Sequence, residues 1–283
     1  MNDPGRGTGA APPLWKRVAR NFVDHDVPGE AAKLAYFAFL SLPPGLMALF
    51  AITGYFGGPE VAATLTERMR TGLPEQASGL VAGFIDQVVN QRAPGPLSIG
   101  LLLALWAGST AFMALAKSLE RAYEVRVPRP WIKQRVLSLG VMVVCAVLFL
   151  SGSVLLLAGP ALAGAVDFWG VAGAAWSVAQ WPLALLLVVG AFWISYYVLP
   201  AQAESREGLN CLIGALLAAA LWVGATALFR LYIANFASYS QSYGILGTII
   251  VLLLWLYLAA MVILLGGELA SELHFPPEAG RHR

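Results

Sequence analysis

Six long apolar stretches divide the chain, and each is long enough to cross a lipid bilayer. About 20 apolar residues at a rise of about 1.5 Å per residue cover a hydrocarbon core of about 30 Å. Only two charged residues, Lys33 and Arg230, fall within these stretches, both near an end, where long basic side chains can reach the polar interface. We therefore predict an all-α, polytopic membrane protein with six transmembrane helices plus short amphipathic helices, the spans being 31–57, 97–116, 136–159, 177–199, 211–233 and 244–267.

Two further segments have helical apolar periodicity without the length of a span. Residues 60–90 predict two short amphipathic helices over the outer end of the bundle. In residues 14–25, apolar positions share one face, which favours either a helix on the cytoplasmic lipid surface or a helix packed on the rest of the protein. The sequence leaves both alternatives open, and the apolar positions concerned are Leu14, Trp15, Val18 and Phe22.

The domain organisation follows from these elements. Residues 14–275 predict a single six-helix membrane domain. Residues 1–13, rich in glycine and proline, predict a disordered N-terminal tail without the apolar core of a cleavable signal peptide. Residues 276–283 predict a cytoplasmic tail.

Basic residues are distributed unevenly between the two sides of the predicted bundle. With six spans, the side that holds both termini carries thirteen Lys and Arg residues, and the opposite side carries three. Because cytoplasmic loops are enriched in these residues, both termini are predicted to be cytoplasmic. The expected location is the bacterial inner (plasma) membrane.

Composition agrees with a membrane location, since 58% of the residues are hydrophobic and only 12% are charged, against about 25% charged in soluble domains. A net charge of +2 does not suggest nucleic-acid binding. The two cysteines, Cys145 and Cys211, lie in apolar runs and predict buried thiols rather than a disulfide or metal site.

Catalytic signatures are missing from the sequence. The three histidines are scattered, and the sequence contains neither a phosphate-binding glycine loop nor a GxSxG turn. We predict no catalytic residues, no metal and no cofactor, although a site assembled from distant residues would escape this search.

The first candidate site is the sequence Ser41-Leu42-Pro43-Pro44-Gly45 within the first predicted span. Proline removes an amide donor and clashes with the preceding turn, so two in succession should kink or break the helix. Broken helices form substrate sites in several transporter folds. The alternative is a static packing kink.

Charged residues at the cytoplasmic boundary form the second candidate site. Lys117, Glu120 and Arg121 lie at spacings that permit pairing along one helix, and the basic residues nearby could attract anionic lipid head groups or simply anchor the helix. Glu268 could face a cavity, pair with Lys117 or Arg121, or accept a proton; the alternative is that it is only the first interfacial residue after the hydrocarbon ends. The remaining candidates, Tyr243 and Gly244, follow a predicted neutral polar loop, 235–242, at the outer side.

Several blocks resemble the YihY / virulence factor BrkB family of bacterial inner-membrane proteins. They are AAKLAYFAFLSLPPGLMALF (31–50), LWAGSTAFMALAKSLERAYEV (105–125), YYVLPAQ (196–202) and the long block 214–273, with YG, LLWLY and GGE in order. Lys33, where a small or apolar residue is expected, and Glu120, where asparagine is common, depart from the family pattern.

This resemblance implies a six-helix membrane bundle with both ends cytoplasmic, an association with envelope integrity and proposals of transport. Some members carry a historical ribonuclease BN label. Transport or translocation of a small molecule or lipid-like amphiphile is our leading hypothesis, with membrane lipids, anionic ones included, as expected partners and no nucleic acid. The alternatives are a non-transporting scaffold for envelope assembly and, more weakly, an enzyme.

Overall fold

The protein is described here by a computed structural model that covers residues 12–45, 94–166, 171–201, 207–243 and 245–274. Every regular element in these ranges is an α-helix, which confirms the predicted fold class at that level. The helices are α1 (Leu14–Asp24), α2 (27–45), α3 (Pro94–Ala122), α4 (Trp131–Val166), α5 (Val171–Val198), α6 (Gly208–Tyr243) and α7 (Ile245–His274).

Four of these helices contain segments that are long and apolar enough to cross a membrane. In each, only 17–28% of the most apolar window is buried inside the protein, so most of its apolar side chains face outward, as lipid-solvated helices require. Their ends lie within seven residues of the ends of the third to sixth predicted spans, and they are Trp131–Leu156, Ala175–Val198, Gly208–Ile233 and Ile249–His274.

The first two predicted spans are not among these four segments. Residues 31–45 of the first are helical in α2, whereas 46–57 and the predicted amphipathic helices of 60–90 lie outside the described residues. The second, 97–116, lies wholly within α3. A total of six transmembrane helices therefore stays a prediction.

Helices extend beyond the predicted spans in two places. Between the third and fourth predicted spans, α4 continues to Val166 and α5 begins at Val171. The predicted polar loop 235–242 continues α6 to Tyr243. Between Gly224 and Gly244 the sequence contains no glycine or proline, so no residue in this stretch terminates the helix.

The two prolines do not break the helix within the described residues, and the alternative, a kink, stays a prediction. Helix α2 runs without interruption through Pro43 and Pro44 to residue 45. The hydroxyl of Ser41 donates to the carbonyl oxygen of Ala38 at 2.7 Å. The Ser41 hydroxyl therefore does not satisfy the carbonyl oxygens of Phe39 and Leu40. These two carbonyls lack their usual helical donors, because Pro43 and Pro44, four residues later, have no N–H.

Close packing of α6 on α7 depends on glycine. A Cβ atom at Gly214 would lie 2.5 Å from the Gly266 carbonyl oxygen, and one at Gly266 would lie 2.6 Å from the Tyr196 hydroxyl oxygen. The Tyr196 hydroxyl, fully buried, donates to the Ile263 carbonyl at 2.6 Å. Small residues here allow two membrane helices to approach backbone to backbone.

Helix α1 packs against α7, which supports the second of the two alternatives for residues 14–25. Arg17 Nε lies 3.0 Å from Glu272 Oε2, and the Asn21 side-chain amide donates to Glu272 Oε1 at 2.6 Å. Trp15 and Val23 remain 67% and 72% exposed. The helix is therefore tied to the bundle through its polar side chains, while part of its apolar surface stays uncovered.

Candidate functional site

Glu30 is the centre of a network that connects α2 with α3. Its carboxylate accepts hydrogen bonds from Lys33 Nζ at 2.8 Å, Arg121 Nη1 at 2.8 Å and Ser118 Oγ at 3.1 Å. Burial alone would raise the pKa of the Glu30 carboxyl, but the hydrogen bonds from Lys33 and Arg121 outweigh it, and the pKa is lowered. Glu30 is therefore held as an anion that neutralises part of the basic charge around it.

Glu268 forms a second acidic site in α7, one helix away from Glu30. The residue is only 3% exposed, and its Oε1 lies 2.7 Å from Nδ1 of His25, in the turn between α1 and α2. The other carboxylate oxygen, Oε2, is buried and has no hydrogen-bond partner. A buried carboxylate oxygen that lacks a donor is costly, so this atom is a ready acceptor for a proton or a water molecule.

A small cavity separates the two acidic sites. It has a volume of about 10 Å³, which is room for roughly one water molecule. Its lining comes from the α1–α2 turn and from α2, α3 and α7, namely His25, Val27, Glu30, Ser118, Leu119, Ala122, Leu264 and Glu268.

Glu30 also lines a much larger cavity, of about 480 Å³, between α2, α3 and α4. Along α3 the lining runs from Trp106 to Arg121, roughly 22 Å at a rise of about 1.5 Å per residue. Four cationic side chains and one carboxylate face it, which gives a formal excess of three positive charges. The lining residues are Glu30, Lys33, Phe37, Trp106, Thr110, Met113, Ala114, Lys117, Arg121, Trp131 and Arg135.

Arg135 is fixed at the wall of this cavity by several contacts. Its guanidinium lies 4.0 Å from the centroid of the Trp106 ring and donates to the Trp106 carbonyl at 3.0 Å. A further hydrogen bond joins Nη1 to Thr110 Oγ1 at 3.0 Å. A guanidinium over an indole face is a favourable cation–π arrangement, so the positive charge of Arg135 is held in place before any ligand arrives.

The structure brings together only some of the candidate residues from the sequence. Lys117 and Arg121 line the large cavity, and Glu268 lines the small one. Arg121 pairs with Glu30 of another helix, and Glu268 contacts His25 rather than Lys117 or Arg121 as suggested. The two sites nevertheless share the same end of the bundle.

The other candidates lie elsewhere. Neither cavity is lined by Ser41, Pro43 or Pro44, or by Glu120, which is partly buried on α3. Tyr243 ends α6 at the start of α7, roughly 35 Å of helix from Glu268. Gly244 lies outside the described residues.

Sequence reasoning missed the residues that connect these sites. Glu30 and His25 precede the first predicted span and were not considered as site residues. The signal available for Glu30 was its spacing of three from Lys33, the unexpected cation of that span. Nothing local marks His25, because its partner is 243 positions away in the sequence.

Metal-binding groups were sought among the described residues. Both cysteines are free and buried, as the sequence predicted. Within the described ranges, no group of three or more His, Cys, Asp or Glu side chains is arranged to hold a metal ion.

Comparisons with known proteins identify the family. A model of the family described as virulence factor BrkB matches residues 18–281. The ribonuclease-like protein YfkH of Bacillus subtilis is 32% identical over 266 residues, which are 92% of this chain and 94% of that protein. No solved structure gives a significant match.

Other relatives are named only as membrane proteins. The UPF0761 membrane protein of Pseudoalteromonas atlantica is 27% identical, covering 92% of this chain and 87% of its own length. That of Azotobacter vinelandii is also 27% identical, but this chain spans only 63% of it. With the apolar helices and the match over most of the sequence, the chain belongs to the virulence factor BrkB family of membrane proteins.

Proposed function

We propose that this protein binds an anionic amphiphile in the 480 Å³ cavity and moves it across the bacterial inner membrane, as part of maintaining the cell envelope. The observation that carries the proposal is the lining of that cavity, where four cations face aromatic and aliphatic walls. The proposed topology has six spans, a single membrane domain from 14 to 275 and both termini in the cytoplasm.

The cavity chemistry matches both halves of an amphiphile. Lys117 and Arg121, near the end of α3, offer donors and positive charge to a phosphate or carboxylate head group. Trp106 and Phe37 offer apolar surface to the adjoining hydrocarbon. A zwitterionic head group would place its own cation among the cavity cations, so the site should prefer net-negative lipids.

Direct translocation measurements test the proposal. Proteoliposomes would carry fluorescent phosphatidylglycerol in one leaflet, and its appearance in the other leaflet would be followed over time. Wild-type protein should accelerate translocation above protein-free vesicles and act less on fluorescent phosphatidylcholine. Lys117→Gln and Arg135→Gln should slow phosphatidylglycerol translocation several-fold, because each removes one cation, worth about 1 kcal/mol near a membrane surface.

Arg126→Gln is the matched control. Arg126 is an exposed basic residue in the connection between α3 and α4, and it does not line the cavity. Equal rates with and without wild-type protein would contradict translocation. Retained phosphatidylglycerol binding without translocation would favour the scaffold. A nuclease activity of the purified protein would favour the enzyme, although the carboxylate of this cavity, Glu30, is already engaged by Lys33, Arg121 and Ser118.

A further inference from the structure

The carboxylate of Glu268 is buried and only half satisfied. Oε1 contacts His25 at 2.7 Å, and Oε2 has no partner. The side chain borders a cavity large enough for about one water molecule. Histidine is the side chain that most readily exchanges a proton near neutral pH. These are the components of a proton-binding site: an acceptor oxygen, a second exchangeable group and space for the water that delivers the proton.

We infer that Glu268 and His25 form a proton-binding site, and that its occupancy controls how strongly the large cavity binds an anion. In the binding step, a hydronium ion in the small cavity transfers its proton to Glu268 Oε2. The carboxylate becomes a neutral carboxyl group, and one water molecule remains. The control of anion binding rests on the proposed function, whereas proton binding does not.

Arg121 connects the proton site to the large cavity. Its Nη1 donates to Glu30 Oε1 at 2.8 Å and to the His25 carbonyl oxygen at 3.3 Å. The turn that contains His25 also includes Asp26, whose φ of 50° is unusual for a residue other than glycine. Loss of the charge on Glu268 weakens the tie that holds this turn, so Arg121 can leave the carbonyl and reach further into the cavity.

Electrostatics act in the same direction. Neutralising Glu268 removes a negative charge close to the cavity, which raises the potential that an anion experiences. Glu30 on α2 lines the small cavity together with the pair and is itself bonded to Lys33 and to Arg121 of α3. Arg17 on α1 pairs with Glu272, one turn further along α7. The charges of these neighbours modulate the same equilibrium. Anion binding should therefore strengthen as the pH falls.

Two readouts on the full chain test this inference. The first is binding of short-chain phosphatidylglycerol, whose phosphodiester keeps its charge over the pH range used, with short-chain phosphatidylcholine as reference. Wild type should bind about fivefold more tightly at acidic than at neutral pH, the effect of about one charge. Glu268→Gln should bind at the tighter level at both pH values. The second readout is the infrared carboxyl band that appears on acidification, which Glu268→Gln should remove.

Control variants make the result specific. Glu207→Gln removes an exposed carboxylate at the start of α6 and should leave both readouts unchanged. If Glu268→Gln fails to fold, His25→Gln keeps the carboxylate but removes the imidazole that contacts it at 2.7 Å, so both pH profiles should shift.

The two proposals fail separately. Equal binding of both lipids at every pH would contradict the proposed function, while the infrared band would still decide whether Glu268 takes up a proton. The inference would be overturned if Glu268→Gln kept the pH dependence of lipid binding and the infrared carboxyl band of the wild type. Lipid-binding and infrared profiles of His25→Gln that match the wild type would overturn it as well.

Discussion

At the residue scale, Glu30 shows how one buried carboxylate links stability to pH. Its pKa is lowered in the folded protein, so the unfolded chain binds more protons than the folded chain in mildly acidic solution. Stability due to Glu30 is therefore complete above its unfolded pKa and is lost as the pH falls through the lower, folded pKa.

Glu30→Gln should lower the stability at neutral pH by about 1 kcal/mol, since the two cations that it pairs with are about half exposed and screened by solvent. The stability of Glu30→Gln should also change less with pH in acidic solution than the stability of the wild type. Thermal unfolding in detergent at a series of pH values measures both effects, with Glu207→Gln as control. If the stability of Glu30→Gln changed with pH as steeply as that of the wild type, the pairing of Glu30 would not contribute to stability.

Residues also show where sequence reasoning reaches its limit. Lys117, Arg121 and Glu268 could be selected because a charge at the end of an apolar helix is conspicuous. Their partners could not, since Glu30 lies 91 positions from Arg121 and His25 lies 243 positions from Glu268. Pairing over such separations depends on which helices pack together, and a local pattern does not contain that information.

At the scale of elements, the contact of α6 with α7 leaves no room for a side chain at Gly214. We expect Gly214→Ala to destabilise the protein by roughly 1–3 kcal/mol, because the new Cβ would meet the Gly266 carbonyl at 2.5 Å and force the helices apart. Gly224→Ala is the control in the same helix, where a Cβ would meet no atom within 4 Å. It should be neutral or slightly stabilising.

Thermal unfolding of the two alanine variants side by side makes the comparison. Equal midpoints would mean that α6 and α7 do not approach as closely as the glycines suggest.

Helix existence could be predicted from the sequence far better than helix ends. Apolar runs located the last four spans with ends within seven residues of those in the structure, because transfer to lipid depends on composition and length alone. The segment 235–242 was wrongly assigned to a loop, because weak polarity does not end a helix without a glycine, a proline or a capping side chain. At Pro43 and Pro44 the predicted break does not occur in the described residues, since a helix can continue through residues that cost it two hydrogen bonds.

At the scale of the whole molecule, the contacts of α1 predict that the chain crosses the membrane an even number of times. Arg17 and Asn21 both contact Glu272 near the end of α7, so we expect the two ends of the described chain on the same side of the membrane. Between them lie four segments that are long and apolar enough to span it. We therefore expect the first two predicted spans either both to cross the membrane or both to remain on one side.

A reporter in the segment between those two spans distinguishes the alternatives. With six spans, alkaline phosphatase inserted within residues 60–90 lies in the periplasm and is active. With four spans, the same insertion lies on the side of the termini. With six spans, the excess of basic residues on the side of the termini, thirteen against three, predicts that this side is cytoplasmic, so phosphatase fused after Arg283 should be inactive and a fluorescent protein fused there should be bright. An inactive insertion at 60–90 would contradict six spans, and an active C-terminal fusion would reverse the orientation of the whole bundle.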